Sequence, residues 1–337
     1  MRFVMAVLLA SVCFGTTGTA QALGPEADPA SLGAARLVIG GGALGALALA
    51  LRLGRRRGAD GTPAASPTGT RASAGRPLVA LLLVGAGASG VLAYQPAFFA
   101  GTEANGVAIG TVVALGSAPV ITGALDWLLR RRYPGHRWAV ATAIATVGVA
   151  VIAVASAPDG GASGAADPLG LVASLGAGAS YAVYTLAAKA LIDRGWSATG
   201  SMGALFGTGA AFALPLLVAT DASWLAQPAG LAMALWLGLV TVTLAYVLFG
   251  YGLTGLAPAT VSTLTLAEPL TAGLLGVLVL GELLPAGAVL GLAVLAAGIL
   301  VLATGGLGSG RGHRTAEHAR AGSARPAPGR DGALHAP

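Results

Sequence analysis

Glu268 and Pro269 stand together in the stretch TVSTLTLAEPLTAGLLGVLVLGE, residues 260–282, where most neighbours are aliphatic or small. A carboxylate at the centre of a membrane helix costs about 2.5–3.5 kcal/mol and is retained where it meets a cation, a proton or a polar cavity. Pro269 has no amide hydrogen, so the carbonyl of Thr265, four residues back, loses its helical partner and the helix bends. In lipid that carbonyl needs a donor or a cavity. The pair therefore offers a proton- or cation-binding group beside irregular backbone. The plainer reading is a neutral acid bonded to the next helix, with the proline bending the chain to pack.

Few other polar groups fall in apolar surroundings. Arg36 is the one arginine inside such a stretch; it either neutralises an anionic solute, pairs with an acid, or reaches back to the nearer membrane surface. Tyr181 and Tyr184 are three residues apart and share a helix face. Tyr94 and Tyr246 complete the tyrosine candidates, against the alternative of an interfacial aromatic belt. Gln95, Ser117 and Thr265 are further cavity candidates, and Glu282 reads as a cap or ion-pair partner.

Catalytic and metal chemistry find little support. The four histidines, His136, His313, His318 and His335, all fall in loops or the C-terminal tail, and Cys13 is the only cysteine. No Ser-base arrangement or phosphate-binding P-loop pattern occurs, so we expect no enzyme, metal or cofactor, and no ATP-driven step by this chain alone. GGGALG (40–45) fits a dinucleotide-binding pattern, but such a motif must follow a strand and open a helix. Gly41 and Gly45 read instead as a pair of small residues that lets two helices approach.

The elements that hold these groups follow from composition. Hydrophobic residues make up 55% of the chain and charged residues 9%, against roughly 25% charged in soluble domains. This is a polytopic membrane protein, and its excess of arginine reflects orientation rather than a nucleic-acid partner. Spans of about 20 apolar residues, enough for about 30 Å of hydrocarbon, are expected at 3–23, 31–51, 77–97, 104–129, 137–156, 168–190, 199–219, 230–251, 258–280 and 285–304. Of 19 basic residues, 18 are Arg2 or lie in 52–76, 130–137, 189–194 and the tail after 304; the exception is Arg36. Alternate loops carry none, which places both termini in the cytoplasm and favours ten spans. The start, MRFVMAVLLASVCFGTTGTAQA, imitates a secretory signal, but its removal would break that alternation, so a retained first helix is expected. Arginine outnumbers lysine 18 to 1 among abundant Ala and Gly, which points to a GC-rich bacterial genome, and the chain is read as a multi-pass protein of the inner (plasma) membrane.

The chain also repeats itself. Residues 93–129 align with 245–280, setting Tyr94 on Tyr246 and Pro119 on Pro269. Each half then holds five spans. An odd number forces the second copy in from the opposite side, giving inverted-topology repeats with a site near mid-membrane. The expected fold is an all-α integral membrane protein of ten helices. It divides into a first repeat at 1–156 with its Arg-rich loop at 52–76, a second at 157–304, and a disordered basic tail at 305–337. Pro119 and Pro269 are the expected helix kinks.

AEPLTAGLLGVLVLGELL (267–284), the weaker copy GSAPVITGALDWLL (116–129) and Arg36 carry a family likeness. With them the chain resembles the EamA-type carriers of the drug/metabolite transporter superfamily, over about residues 3–304. The first copy departs from the family pattern, with WLLRRR where an acid is expected at the end of the fourth helix. The resemblance implies alternating-access movement, often export, of small amino acid-like or drug-like solutes. A proton or another coupling ion could drive it, and a homodimer is an option. The alternatives are a passive channel or lipid-handling protein on the same scaffold, or an accessory membrane subunit.

Overall fold

The computed structural model describes residues 1–59, 77–131, 133–156 and 167–304. Residues 60–76 of the Arg-rich loop lie outside these residues, and so does the tail at 305–337, for which disorder is expected. Six long helices come first: α1 (Arg2–Ala22), α2 (Pro29–Ala59), α3 (Pro77–Arg130), α4 (His136–Ala155), α5 (Pro168–Asp193) and α6 (Ala198–Ala219). A short 3-10 turn precedes one rod made of α7 (Pro228–Leu235), a π-helical stretch (Trp236–Leu244) and α8 (Ala245–Gly255). The next rod is α9 (Pro258–Leu264), a 3-10 turn (Thr265–Ala267) and α10 (Glu268–Leu278), and α11 (Ala286–Ala303) closes the bundle. Among the described residues there is no strand, and nine helical segments are long and apolar enough to cross a membrane.

The starts of these helices are written locally. Asp167 caps α5, accepting from the amides of Leu169 and Gly170 at 3.4 and 3.2 Å, with Pro168 at the first turn. Ser197 caps α6 through the amide of Gly200 at 3.0 Å. Pro228 and Pro258 open α7 and α9, where a missing amide hydrogen costs nothing.

The third and fourth expected spans are corrected: no loop separates them. Residues 98–105 are helical, and the chain turns at Gly106 alone (φ 77°, ψ 157°), a conformation that favours glycine. A straight helix of 54 residues would be about 81 Å long, far beyond a bilayer. Instead α3 folds back on itself. A Cβ at Gly110 would come within 2.6 Å of the Cα of Thr102, eight residues earlier, whereas eight residues of straight helix separate them by about 12 Å. Pro119 is buried within the second arm, whose backbone stays helical around it.

The first helix is part of the packing. Val7, Ala10, Ser11 and Phe14 are buried, Ser11 donates to the carbonyl of Leu264 at 3.3 Å, and Trp236 donates to Thr16 at 3.0 Å. Small residues set the other contacts. Gly41 and Gly45 of α2 lie against the backbone of Phe206 and Gly207 on α6, as their spacing foretold. On the periphery α4 meets α11 at Gly148, Gly291 and Gly298. A Cβ at Gly298 would sit 2.7 Å from the amide nitrogen of Ala145, a backbone atom that cannot move aside alone. Gly298→Val should therefore cost about 1–3 kcal/mol. The expected result is earlier melting in detergent, while Leu300→Val on the exposed face of the same helix changes little.

Candidate functional site

Five helical rods converge on one cavity with polar groups in its wall. Arg36 and Leu37 come from α2, Val91, Tyr94 and Gln95 from the first arm of α3, and Tyr184 from α5. Phe206 of α6, Val242 of the π-helical stretch and Tyr246 of α8 complete the lining of about 80 Å³. Such a space is polar and roomy enough for several waters. Arg36 thus has a polar cavity before it rather than a route to the surface only.

Aromatic packing holds the walls. Phe206 and Tyr246 have ring centroids 3.9 Å apart, and Phe14 and Phe249 lie 5.1 and 5.7 Å from Tyr246. Tyr184, 4% exposed, has its hydroxyl 3.2 Å from that of Tyr246. The Tyr181 hydroxyl pairs instead with Thr265 at 2.8 Å, and Thr265 donates to the carbonyl of Ser262 at 2.7 Å. Tyr184 and Tyr246 therefore face the cavity, while Tyr181 and Thr265 bind each other one layer away, at the break between α9 and α10. The π-helical stretch leads directly into Tyr246, and its Thr243 donates to the carbonyl of Gly40 at 2.9 Å. Single π turns often accompany functional sites because they re-aim the side chains that follow.

Glu268 is the first residue of α10, immediately after the 3-10 turn. The irregularity lies just ahead of Pro269, over Thr265–Ala267, which is the backbone that the proline releases. The acid is half-buried and does not line the 80 Å³ cavity. Arg36, by contrast, does line it. No ion pair joins the two among the described residues, so each keeps hydrogen-bonding capacity for something else. The broken rod is anchored from outside: Trp138 donates to Thr263 at 3.0 Å, and Thr142 pairs with the same hydroxyl at 2.8 Å.

The cavity is closed at one end and leads to a larger space at the other. A vestibule of about 570 Å³ lies between the start of α2, the Gly106 end of α3 and the end of α6. Asp28, Thr102 and Glu103 are among its polar lining, with Phe99, Phe212 and Leu216 among the apolar. Toward the other end Leu191, Met202, Phe249 and Leu253 are fully buried. Beyond them runs a chain of charges. The Nε of Arg130 lies 2.6 Å from Asp126, and its terminal nitrogen lies 2.8 Å from Asp193. Lys189 reaches Asp193 at 3.3 Å and donates to the carbonyl of Leu253 at 2.8 Å.

The remaining candidates serve packing. The Ser117 hydroxyl donates to the carbonyl of Ala114 at 3.2 Å and lies against Gly178. Glu282 folds its carboxylate over Gly276. Phe206, Val242, Leu37 and Val91 were not legible as site residues, because an apolar side chain in an apolar span carries no mark of facing inward. The Arg130 network was also missed; its signal was present as an acid four residues before a base in Asp126–Arg130 and the reverse in Lys189–Asp193.

Comparison with known proteins agrees with this architecture. A solved crystal structure superposes with a TM-score of 0.68 at 20% identity, over 89% of this chain and 94% of the other; that likeness concerns the fold alone. A Bacillus subtilis (strain 168) protein named "Uncharacterized transporter YwfM" is 38% identical over 314 residues, which is 93% of this chain and 96% of that one. The family model described as the EamA-like transporter family matches twice, at residues 1–154 and 168–304. This multi-pass membrane protein belongs to the EamA-like transporter family.

Proposed function

We propose that the protein is a secondary carrier that moves small amino acid-like or drug-like solutes, in the direction of export, across a bacterial inner membrane by alternating access. The observation that carries this reading is Arg36, a charge without an ion-pair partner among the described residues, set in a tyrosine-lined cavity inside an apolar bundle. A half-buried charge without a partner inside an apolar bundle is expensive, and a solute or coupling ion is what would offset it. Glu268 is the candidate for the ammonium group of a solute or for a proton. Arg36, Tyr94, Tyr184 and Tyr246 would meet the solute, with Tyr181 and Thr265 supporting them.

Ten spans in two inverted halves fit this reading. The two arms of α3, 77–105 and 107–130, would each be about 36–43 Å long, enough to cross. The step of 150 residues from Pro119 to Pro269 carries Gly106 to Leu256, the turn between α8 and α9. Tyr94 and Tyr246, matched in the repeat, line the same cavity from opposite halves. With both termini cytoplasmic, the vestibule faces outward and the Arg130 network seals the inner end. Asp126 and Arg130 come from the first half, Asp193, Lys189 and Leu253 from the second. Breaking the network would free the halves to rock apart.

The test is solute-dependent thermal stabilisation of purified protein over a panel of amino acids, nucleosides, amines and drug-like cations, followed by counterflow of each hit in proteoliposomes. A ligand at 100 times its Kd should stabilise the fold by about 2.7 kcal/mol. Saturable counterflow is expected. Linear flux without counterflow would indicate a pore, and absence of both binding and flux would remove the carrier reading.

A further inference from the structure

The central cavity and the vestibule are described by different residues except for three: Leu37, Val91 and Gln95 line both. These three are the shared boundary, or neck, between the cavity of about 80 Å³ and the vestibule of about 570 Å³. Two are aliphatic and cannot hydrogen-bond. Gln95 is the only polar group of the three. Its carboxamide offers two donors and an acceptor, yet it makes no side-chain hydrogen bond among the described residues. A solute passing from the vestibule to the cavity therefore meets, at their shared wall, an amide with its bonding capacity unspent.

The seat of that amide is also defined. A Cβ placed on Gly33 of α2 would lie 2.8 Å from Nε2 and 2.9 Å from both Cδ and Oε1 of Gln95. Near-equal distances to three atoms of one planar group mean that the carboxamide lies face-on over the Cα of Gly33. Glycine at 33 is what keeps it against the wall. Any side chain there must push the amide away from α2, because its far end is the movable part. Gly33 is one helical turn before Arg36 and Leu37, so the seat, the neck and the charged cavity wall follow one another along a single helix.

We propose that Gln95 is the specificity-determining residue of an outer neck, where it admits solutes by size and by their capacity to hydrogen-bond with a neutral amide. This assignment rests on the carrier reading for its biological meaning, but the passage itself can be tested without a known solute. In a Cys13→Ser background, Val242→Cys reports from the cavity side of the neck and Phe212→Cys from the vestibule. Right-side-out membrane vesicles are treated with trimethylammonium-ethyl methanethiosulfonate, a small impermeant reagent, or with a bulky biotin-carrying methanethiosulfonate.

Gln95→Ala is expected to raise the rate of the bulky reagent at position 242 by ten-fold or more. Gly33→Ala, which displaces the amide into the neck, and Gln95→Trp should slow the small reagent there by a similar factor. Gln95→Leu, close in volume, should slow the small cationic reagent several-fold, and an unchanged rate would overturn the hydrogen-bonding part of the assignment. Labelling at Phe212→Cys should be the same in every variant, which checks that each has folded. Rates at 242 that ignore residues 33 and 95, while 212 labels normally, would overturn the neck and leave the carrier reading standing. Failure of both reporters to label from outside would overturn the outward-facing arrangement and the inference with it.

Discussion

Arg130→Ala should melt well below wild type and open the protein at its basic end. Among the described residues Arg130 is the only cation within ion-pair distance of Asp126, a carboxylate that is 4% exposed. Removing one partner of an enclosed ion pair costs about 3–5 kcal/mol, because the other charge stays buried without compensation. The Arg130 side chain is 36% exposed, so water recovers part of that loss and about 2 kcal/mol is expected. Asp126→Asn combined with Arg130→Ala should regain part of the stability, since the orphan left behind is no longer a charge. A cysteine at Leu191, fully buried in the wild-type arrangement, should become reactive from the side of the Arg130 network when Arg130 is lost. Unchanged melting with an unreactive cysteine would mean that the apolar plug alone closes this end and that the ion pairs are surface decoration.

Arg36→Gln should weaken binding of an anionic or zwitterionic solute by about 100-fold, equivalent to about 2.7 kcal/mol. That lies within the about 1.5–3 kcal/mol typical of a hydrogen bond to a charged group. The same change relieves the fold of a costly charge, so stability without solute should stay level or rise. A purely structural arginine would show the opposite sign, which makes the comparison decisive. Arg36→Lys keeps the charge and loses the planar fork, and an intermediate affinity is expected. The measurement is the concentration dependence of thermal stabilisation by whichever panel solute binds wild type. Equal midpoints for wild type and Arg36→Gln would remove Arg36 from the site.

These two residues illustrate how much was legible beforehand. Arg36 stood out because one arginine in an apolar span is expensive enough to need a reason, and that cost depends only on the neighbours in sequence. Arg130 did not stand out. It belongs to RRRYPGHR, a run that the charge rule for cytoplasmic loops had already explained, and nothing local says that one of its members turns back to Asp126 and across to Asp193. Glu268 is the intermediate case. Its irregular backbone was readable from Pro269, since a missing amide hydrogen acts on the carbonyl four residues earlier wherever the helix lies. Which face the acid presents was not.

Membrane-spanning helices and their hydrophobic lengths follow from the sequence alone, because the bilayer demands that every backbone group be satisfied within its own segment. Family membership was readable too, from AEPLTAGLLGVLVLGELL and its weaker partner. The fold-back at Gly106 was half readable: Glu103 and Asn105 blurred the start of a span, but only close packing of Gly110 on Thr102 shows a hairpin. Which of the candidate polar residues share one cavity, and which apolar residues wall it, belongs to the tertiary structure. In water, burial separates apolar from polar residues along a helix and leaves a periodic trace. In lipid, both faces are apolar, so Phe206, Leu37 and Val91 look the same in sequence whether they face solute or acyl chains. Packing of small residues against backbone decides which face turns inward, and that is settled between helices rather than within any one of them.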